Sequence, residues 1–259
     1  MDRVRVISSV CGGSVIAALY AYGQGSFAEF DDSVVALLRR GLQSAIVRGL
    51  AHPAGAAKMA GTMAVASTAA FAADSARAMA SLLSGAVGLR GRKVVKFIDK
   101  VHPPFRRWQS ATMAFEAALR DRLFGSVPIT APRRADFDVV INACELRSGS
   151  AFRFGSRESG CWRYGAIENN AVEVARAVAA SAAYPALVPA LDEVITFNDR
   201  NDVNRKRRVL LTDGGVYDNL GVTCLEPGSA GDVGYNRFTP EYIICCDAGQ
   251  GIFKDNPVP

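Results

Sequence analysis

Histidine is close to absent: His52 and His102 are the only two in the 259-residue chain. The six cysteines, at 11, 144, 161, 224, 245 and 246, contain no C-x-x-C pair. Together these absences exclude the usual zinc-site spacings, and no metal is expected. The longest uncharged run in the Ala-rich stretch, Met59 to Ala73, has 15 residues. That is short of the ~20 needed to span a bilayer. No signal peptide opens the sequence, so the expected location is cytoplasmic or peripheral to a membrane. Aromatic residues are 8% of the chain, and their spacing offers no ladder for stacking bases. Nucleic acid is therefore not an expected partner. Internal repeats are missing, as is any convincing linker, and residues 1–259 read as a single domain.

What is present is ordinary for a globular protein. Hydrophobic residues make up 49% and charged residues 21% of 27.5 kDa, enough for one large core. A formal charge of +5 and a pI near 9.0 favour anionic partners such as acidic lipid headgroups. Cys144, Cys245 and Cys246 lie in apolar runs and read as buried thiols, which suits a reducing compartment.

The N-terminal stretch organises the rest. Val4, Val6, Ile7 and Val10 are β-branched and predict a buried strand. Gly12 and Gly13 break the run, and Val15 to Leu19 opens a helix. Strand, glycine turn, serine, helix is the layout of a nucleophile elbow. It would lift the Ser14 hydroxyl to the top of a sheet, beside the positive end of a helix. The glycines keep side chains out of the turn and out of a substrate's path. The match to G-x-S-x-G is incomplete, because Ile16 stands where the last glycine would be. An ordinary glycine turn is the competing reading.

Further along, Asp31-Asp32-Ser33 predicts the cap of a helix from Val34 to about Leu50, with Val35, Leu38, Leu42 and Ile46 on one face. Residues 51–107 form an Ala-rich and then basic helical insertion. Its Ala-rich part, Ala51 to Leu89, fits either helices packed over the core or helices lying on a membrane surface. The basic cluster of Arg90, Arg92, Lys93, Lys96, Lys100, Arg106 and Arg107 fits either anionic headgroups or a solvated face. Ser110 predicts the cap of a helix with Phe115, Leu119 and Leu123 in step and Glu116 facing Arg120, ended by Gly125 and Pro128. Asp136 to Leu146 reads as a second buried strand, Arg147 to Gly165 as a polar hairpin or loop. Ala171 to Ala183 reads as an apolar helix stopped by Tyr184-Pro185. Asn198 to Arg208 looks like a surface loop leading to a short strand, Val209 to Leu211, and Tyr242 to Asp247 like a last buried strand. Asp213, followed by Gly214 and Gly215, sits where α/β folds put working carboxylates, though Asp-Gly-Gly is also plain turn chemistry.

Four stretches in this order, ISSVCGGSVIAALY, INACELRSGSAFRF, VARAVAASAAYPALVPA and LLTDGGVYDNLGV, resemble the patatin-like phospholipases. The resemblance runs from Met1 almost to the C-terminus, with Ala51 to Arg107 unmatched. It implies an α/β fold, a three-layer α/β/α sandwich with a mainly parallel central sheet. It also implies a serine acyl-ester hydrolase working through a Ser14–Asp213 dyad, with Ser14 as nucleophile and Asp213 as general base. No cofactor is called for, and the substrate would be a lipid or another acyl ester, with peripheral contact to an anionic membrane surface. The family carries a glycine-rich loop before the elbow as oxyanion hole. Here only Met1 to Arg5 precede the strand, so the chain reads as N-terminally truncated. The backbone N–H of Val15 is left as one candidate oxyanion donor. Cys11 stands where related elbows often have serine and is read as a tolerated small residue. A lipid-surface binding protein with an impaired site is the alternative function, and a plain α/β domain without chemistry is the third.

Overall fold

The β-branched run at the start forms strand β1, Val6–Val10, and the chain turns at once into helix α1, Gly12–Tyr22. These coordinates are a computed structural model that describes residues 4–23, 25–42, 44, 110–134, 136–185, 188–199, 201, 203–226, 238 and 240–247. The expectations for residues 51–107, and for the far end of the helix placed before them, lie outside the described residues.

Helix α2, Phe27–Arg40, begins seven residues before the predicted Val34. Its cap is Ser26, whose hydroxyl accepts the Glu29 N–H while the Glu29 carboxylate accepts the Ser26 N–H at 2.6 Å. This reciprocal box satisfies two of the donors a helix start leaves over. The Asp31-Asp32-Ser33 run therefore lies inside the helix, and Gly41, at φ 61°, closes it. Val35 and Leu38 of the predicted face are exposed, whereas Leu42 packs against the core as expected, joined there by Phe30 and Leu37.

Ser110 caps helix α3, Ala111–Leu119, accepting the Met113 N–H, and the helix continues as a π turn, Arg120–Phe124, to Gly125. Glu116 and Arg120 pair at 2.9 Å as their spacing predicts. Strand β2, Asp138–Glu145, is followed by β3 Ser150–Gly155, β4 Ser159–Cys161 and β5 Gly165–Ile167. Helix α4, Val174–Ser181, then leads to β6 Leu191–Asn198 and β7 Asn204–Asp213.

The seven strands form one sheet, and a mainly parallel sheet is not what they build. Among the described residues only β1 and β2 run parallel; every other pair is antiparallel, and β7 closes back onto β2. The reason lies in the connections. Parallel neighbours need a long crossover, which α1 to α3 supply between β1 and β2. From Arg147 onward the strands meet as hairpin partners, and antiparallel pairing follows. The presumed loop Asn198 to Arg208 is mostly strand, because β6 and β7 pair from Leu191 with Leu211 to Asn198 with Asn204. Its charges mark the solvated end of a hairpin rather than an irregular segment. Tyr242 to Asp247 is not a strand either. Tyr242 is 86% and Ile244 87% exposed, and Cys245 and Cys246 are exposed with them. The run finds no strand partner among the described residues, and without a ladder β propensity alone does not make a strand.

The core gathers Phe152, Phe154 and Phe197 with Ile141, Leu191 and Leu211 under α4. Apart from Arg176, every residue of α4 is buried, and most of them are alanine or valine, which lets the helix lie close on β2 and β7. Arg176 reaches Glu116 at 3.2 Å and Glu193 at 3.7 Å.

One buried carboxylate ties β7 to β2. Glu145, fully buried, accepts the backbone N–H groups of Ser148 at 2.7 Å, Arg147 at 3.2 Å and Leu210 at 3.2 Å, and the Tyr164 hydroxyl at 3.2 Å. Removing it leaves those donors without an acceptor in a dry interior. Glu145→Ala is expected to lower unfolding free energy by about 3 kcal/mol, measured by urea titration, with Glu145→Gln losing less.

Candidate active site

The register of the sheet brings the two candidate motifs together. β3 covers one edge of β2 from Val140 to Glu145, so β1 and β7 must share the other edge. β1 occupies it up to the pairing of Val10 with Asn142. β7 arrives from the opposite direction, and its last pairing sets Asp213 against Ala143. The two strands therefore end head to head at consecutive positions of β2. Both leave the sheet there, one through Cys11-Gly12 and the other through Gly214-Gly215.

At the end of β1 the apex is Cys11, not Ser14. Cys11 has φ 52° and ψ −130°, a backbone conformation that L residues rarely adopt, and it caps α1. Such a geometry costs of order 1–3 kcal/mol and is how a strand-to-helix turn holds one side chain clear of the sheet. The thiol is half-buried. Ser14 lies within the first turn of α1, is fully buried, and its N–H reaches the Cys11 carbonyl at 3.0 Å.

Ser181, the last residue of α4, fixes the turn. Its hydroxyl donates to the Asn142 carbonyl at 2.6 Å and accepts the Cys11 N–H at 3.1 Å. The Ser14 and Ser181 hydroxyl oxygens lie 2.8 Å apart. A serine has one hydroxyl hydrogen, and Ser181 has given its own to Asn142. The Ser14 hydrogen is therefore the one shared between the two serines, and it points toward α4.

Asp213 is 2% exposed. Its Oδ1 accepts the Gly215 N–H at 2.7 Å, while Oδ2 is enclosed and lacks a regular hydrogen-bond partner. The titrating neighbour that feels it is Cys11. Burial first, and then the neighbouring Asp213 carboxylate, push the Cys11 thiol up to about 11. The N–H of Gly12 acts against that rise by reaching the sulfur.

The four motif glycines have different reasons. A Cβ on Gly12 or Gly13 would meet nothing within 4 Å among the described residues. Packing of those residues therefore does not require them, and they leave the space above them open to a substrate. A Cβ on Gly214 would lie 2.3 Å from the Asn142 carbonyl oxygen, so that glycine is needed for β7 to turn off the edge of β2. One on Gly215 would crowd Asn219 Oδ1 at 2.8 Å and Asp213 Oδ1 at 3.0 Å. Val15, the candidate oxyanion donor, sits four residues past Cys11, so its N–H belongs to the helical ladder. Gly12 and Gly13 stand ahead of that ladder, and their N–H groups are the ones free of it.

The structure thus brings Asp213, Gly12, Gly13, Gly214 and Gly215 to one point and sets Ser14 and Val15 inside the first turn behind it. Cys11 and Ser181 were missed as site residues. The signal for Cys11 was present, since the apex of such a turn is the first residue after the β-branched run, here the residue after Val10. Among the described residues no cluster of His, Cys, Asp or Glu could hold a metal ion, and no helix is long and apolar enough to cross a membrane.

Two outcomes follow from this geometry. Asp213→Asn removes the charge that helps raise the Cys11 thiol, so its titration midpoint moves down from about 11. Iodoacetamide should then alkylate Cys11 faster at pH 8 in the variant, read by peptide mass spectrometry. Ser181→Ala strands the Ser14 hydroxyl, the Cys11 N–H and the Asn142 carbonyl, and should cost roughly 1–3 kcal/mol of stability in thermal or urea unfolding.

A search of curated protein sequences finds no match. A family model described as Patatin-like phospholipase, in contrast, matches residues 1–225. That span takes in β1 and its turn, α4 with Ser181, and Asp213 with its two glycines. With most of its length and every element of the β1–β7 junction inside the match, the chain belongs to the patatin-like phospholipase family.

Proposed function

We propose that the chain hydrolyses carboxylic esters of lipids at the junction of β1 and β7, through an acyl-enzyme intermediate with Asp213 as general base. The observation that carries this reading is the Asp213 carboxylate. It is almost sealed from water, with one oxygen fixed by Gly215 and the other without a hydrogen-bond partner among the described residues. A carboxylate held in this way is ready to take a proton from an attacking side chain.

The dyad read from the sequence, Ser14 with Asp213, asks the Ser14 hydroxyl to release Ser181 and turn to the carboxylate. Whichever elbow side chain attacks, the steps are the same. Asp213 takes its proton as it adds to the ester carbonyl, and the tetrahedral oxyanion collapses to an acyl-enzyme. The leaving alcohol departs with that proton. Water deprotonated by Asp213 then releases the fatty acid. The open space over Gly12 and Gly13, and their N–H groups at the positive end of α1, support an oxyanion position there. Written this way, the reaction uses no cofactor.

Membership of the family supports a lipid substrate, and the charge of +5 supports peripheral contact with an anionic membrane surface. The full burial of Ser14 and the hold of Ser181 on its hydroxyl favour a second reading, a lipid-surface binding protein with an impaired site. Turnover of p-nitrophenyl butyrate and of phospholipid in mixed micelles tests the first. Asp213→Asn should lower kcat by about 10²–10⁴-fold, with KM and thermal unfolding little changed. Equal rates for the two proteins would remove Asp213 from the chemistry. Vesicle binding that survives without any turnover would favour the second reading.

A further inference from the structure

We propose that the nucleophile of this site is the Cys11 thiol, that the acyl-enzyme is a thioester, and that Ser14 holds the turn rather than attacking. This rests on the hydrolase reading above and deepens it.

Position comes first. Cys11 is the apex residue, with φ 52° and ψ −130°, half-buried and so reachable. Ser14 is fully enclosed three residues further on, with its hydroxyl 2.8 Å from Ser181. The available base comes second. Asp213 Oδ2 is buried with no hydrogen-bond partner among the described residues, and the thiol that this carboxylate acts on is that of Cys11. The direction of each proton comes third. Ser181 spends its only hydroxyl hydrogen on Asn142, which commits the Ser14 hydrogen to Ser181. The Cys11 thiol has no such commitment, and Asp213 is the carboxylate that acts on it. Lastly, the room a substrate needs lies over Gly12 and Gly13, directly after Cys11.

The chemistry balances without any further reagent. Asp213 takes the thiol proton while Sγ bonds to the ester carbonyl carbon. The carbonyl oxygen carries the negative charge, then re-forms its double bond as the alkoxy group leaves with the proton from Asp213. The resulting thioester is attacked by water, whose proton passes to Asp213 and then to sulfur, releasing the carboxylic acid. A thiol pushed up to about 11 still yields its proton more readily than a hydroxyl near the roughly 15.7 of water. The carboxylate that disfavours a resting thiolate can therefore receive its proton during attack.

The test uses the full chain, p-nitrophenyl butyrate and acid quenching, followed by intact mass and peptide mapping. The expected result is one butyryl group on the Cys11 peptide, removed by neutral hydroxylamine as a thioester is. Cys11→Ala should lose acylation and turnover while keeping its unfolding temperature. Cys11→Ser should shift the acyl group to an ester that neutral hydroxylamine leaves in place. In Ser14→Ala the acyl mass should still map to Cys11. An acyl group on Ser14, or turnover that survives Cys11→Ala and is lost in Ser14→Ala, overturns the assignment. Turnover by Cys11→Ser with no acylation of the wild-type thiol also overturns it, while leaving the hydrolase reading of the fold intact. Absence of acylation and turnover in every folded variant overturns that hydrolase reading, and this assignment with it.

Discussion

One edge of β2 has to serve two strands, and most of the site follows from that constraint. β1 ends against Asn142 and β7 against Ala143, running in opposite senses. Neither can continue without colliding with the other, so both must turn off the sheet at one level. The turns need unusual backbone, supplied by the positive φ of Cys11 and by the close approach of Gly214 to Asn142. A carboxylate and a thiol are thereby set side by side by hydrogen-bond register, which is far stiffer than a loop.

Two buried polar groups hold that junction. Glu145 fastens β7 to β2 from one side, and Ser181 fastens the β1–α1 turn to β2 from the other. Each satisfies several donors or acceptors at once, and such groups stabilise only when complete. The strain at Cys11 is sustained by these neighbours, since nothing within a single turn would keep a non-glycine residue there.

Much of this was legible in the residues themselves. The β-branched run before Gly12, the Ser110 cap, the Glu116–Arg120 spacing and the Asp-Gly-Gly turn each report local rules that the fold obeys. What was not legible depended on partners. That Ser181 of a distant helix would hold the Ser14 hydroxyl and the Cys11 N–H depends on how α4 packs against the turn. The sense of the sheet depends on hairpin closure, and the charged half of β7 is a strand only because β6 lies beside it. Tyr242 to Asp247 has the composition of a strand and no strand partner among the described residues. The Ser26–Glu29 box was readable, but the acidic pair at Asp31 and Asp32 competed with it as a start signal.

The outer half of β7 carries one more consequence. From Asn204 to Arg208 it pairs with β6 on one side, while β2 reaches it only from Leu211 onward. Among the described residues that leaves Asn204 to Arg207 without a second strand partner, the kind of edge from which aggregates grow. Arg205 is paired with Asp199 and Arg208 with Asp192, and Lys206 and Arg207 between them add positive charge that a second copy docking there would have to meet with its own. The basic run that resembled a loop in the sequence thus loads a strand edge with charge, and charge on an edge opposes intermolecular sheet extension.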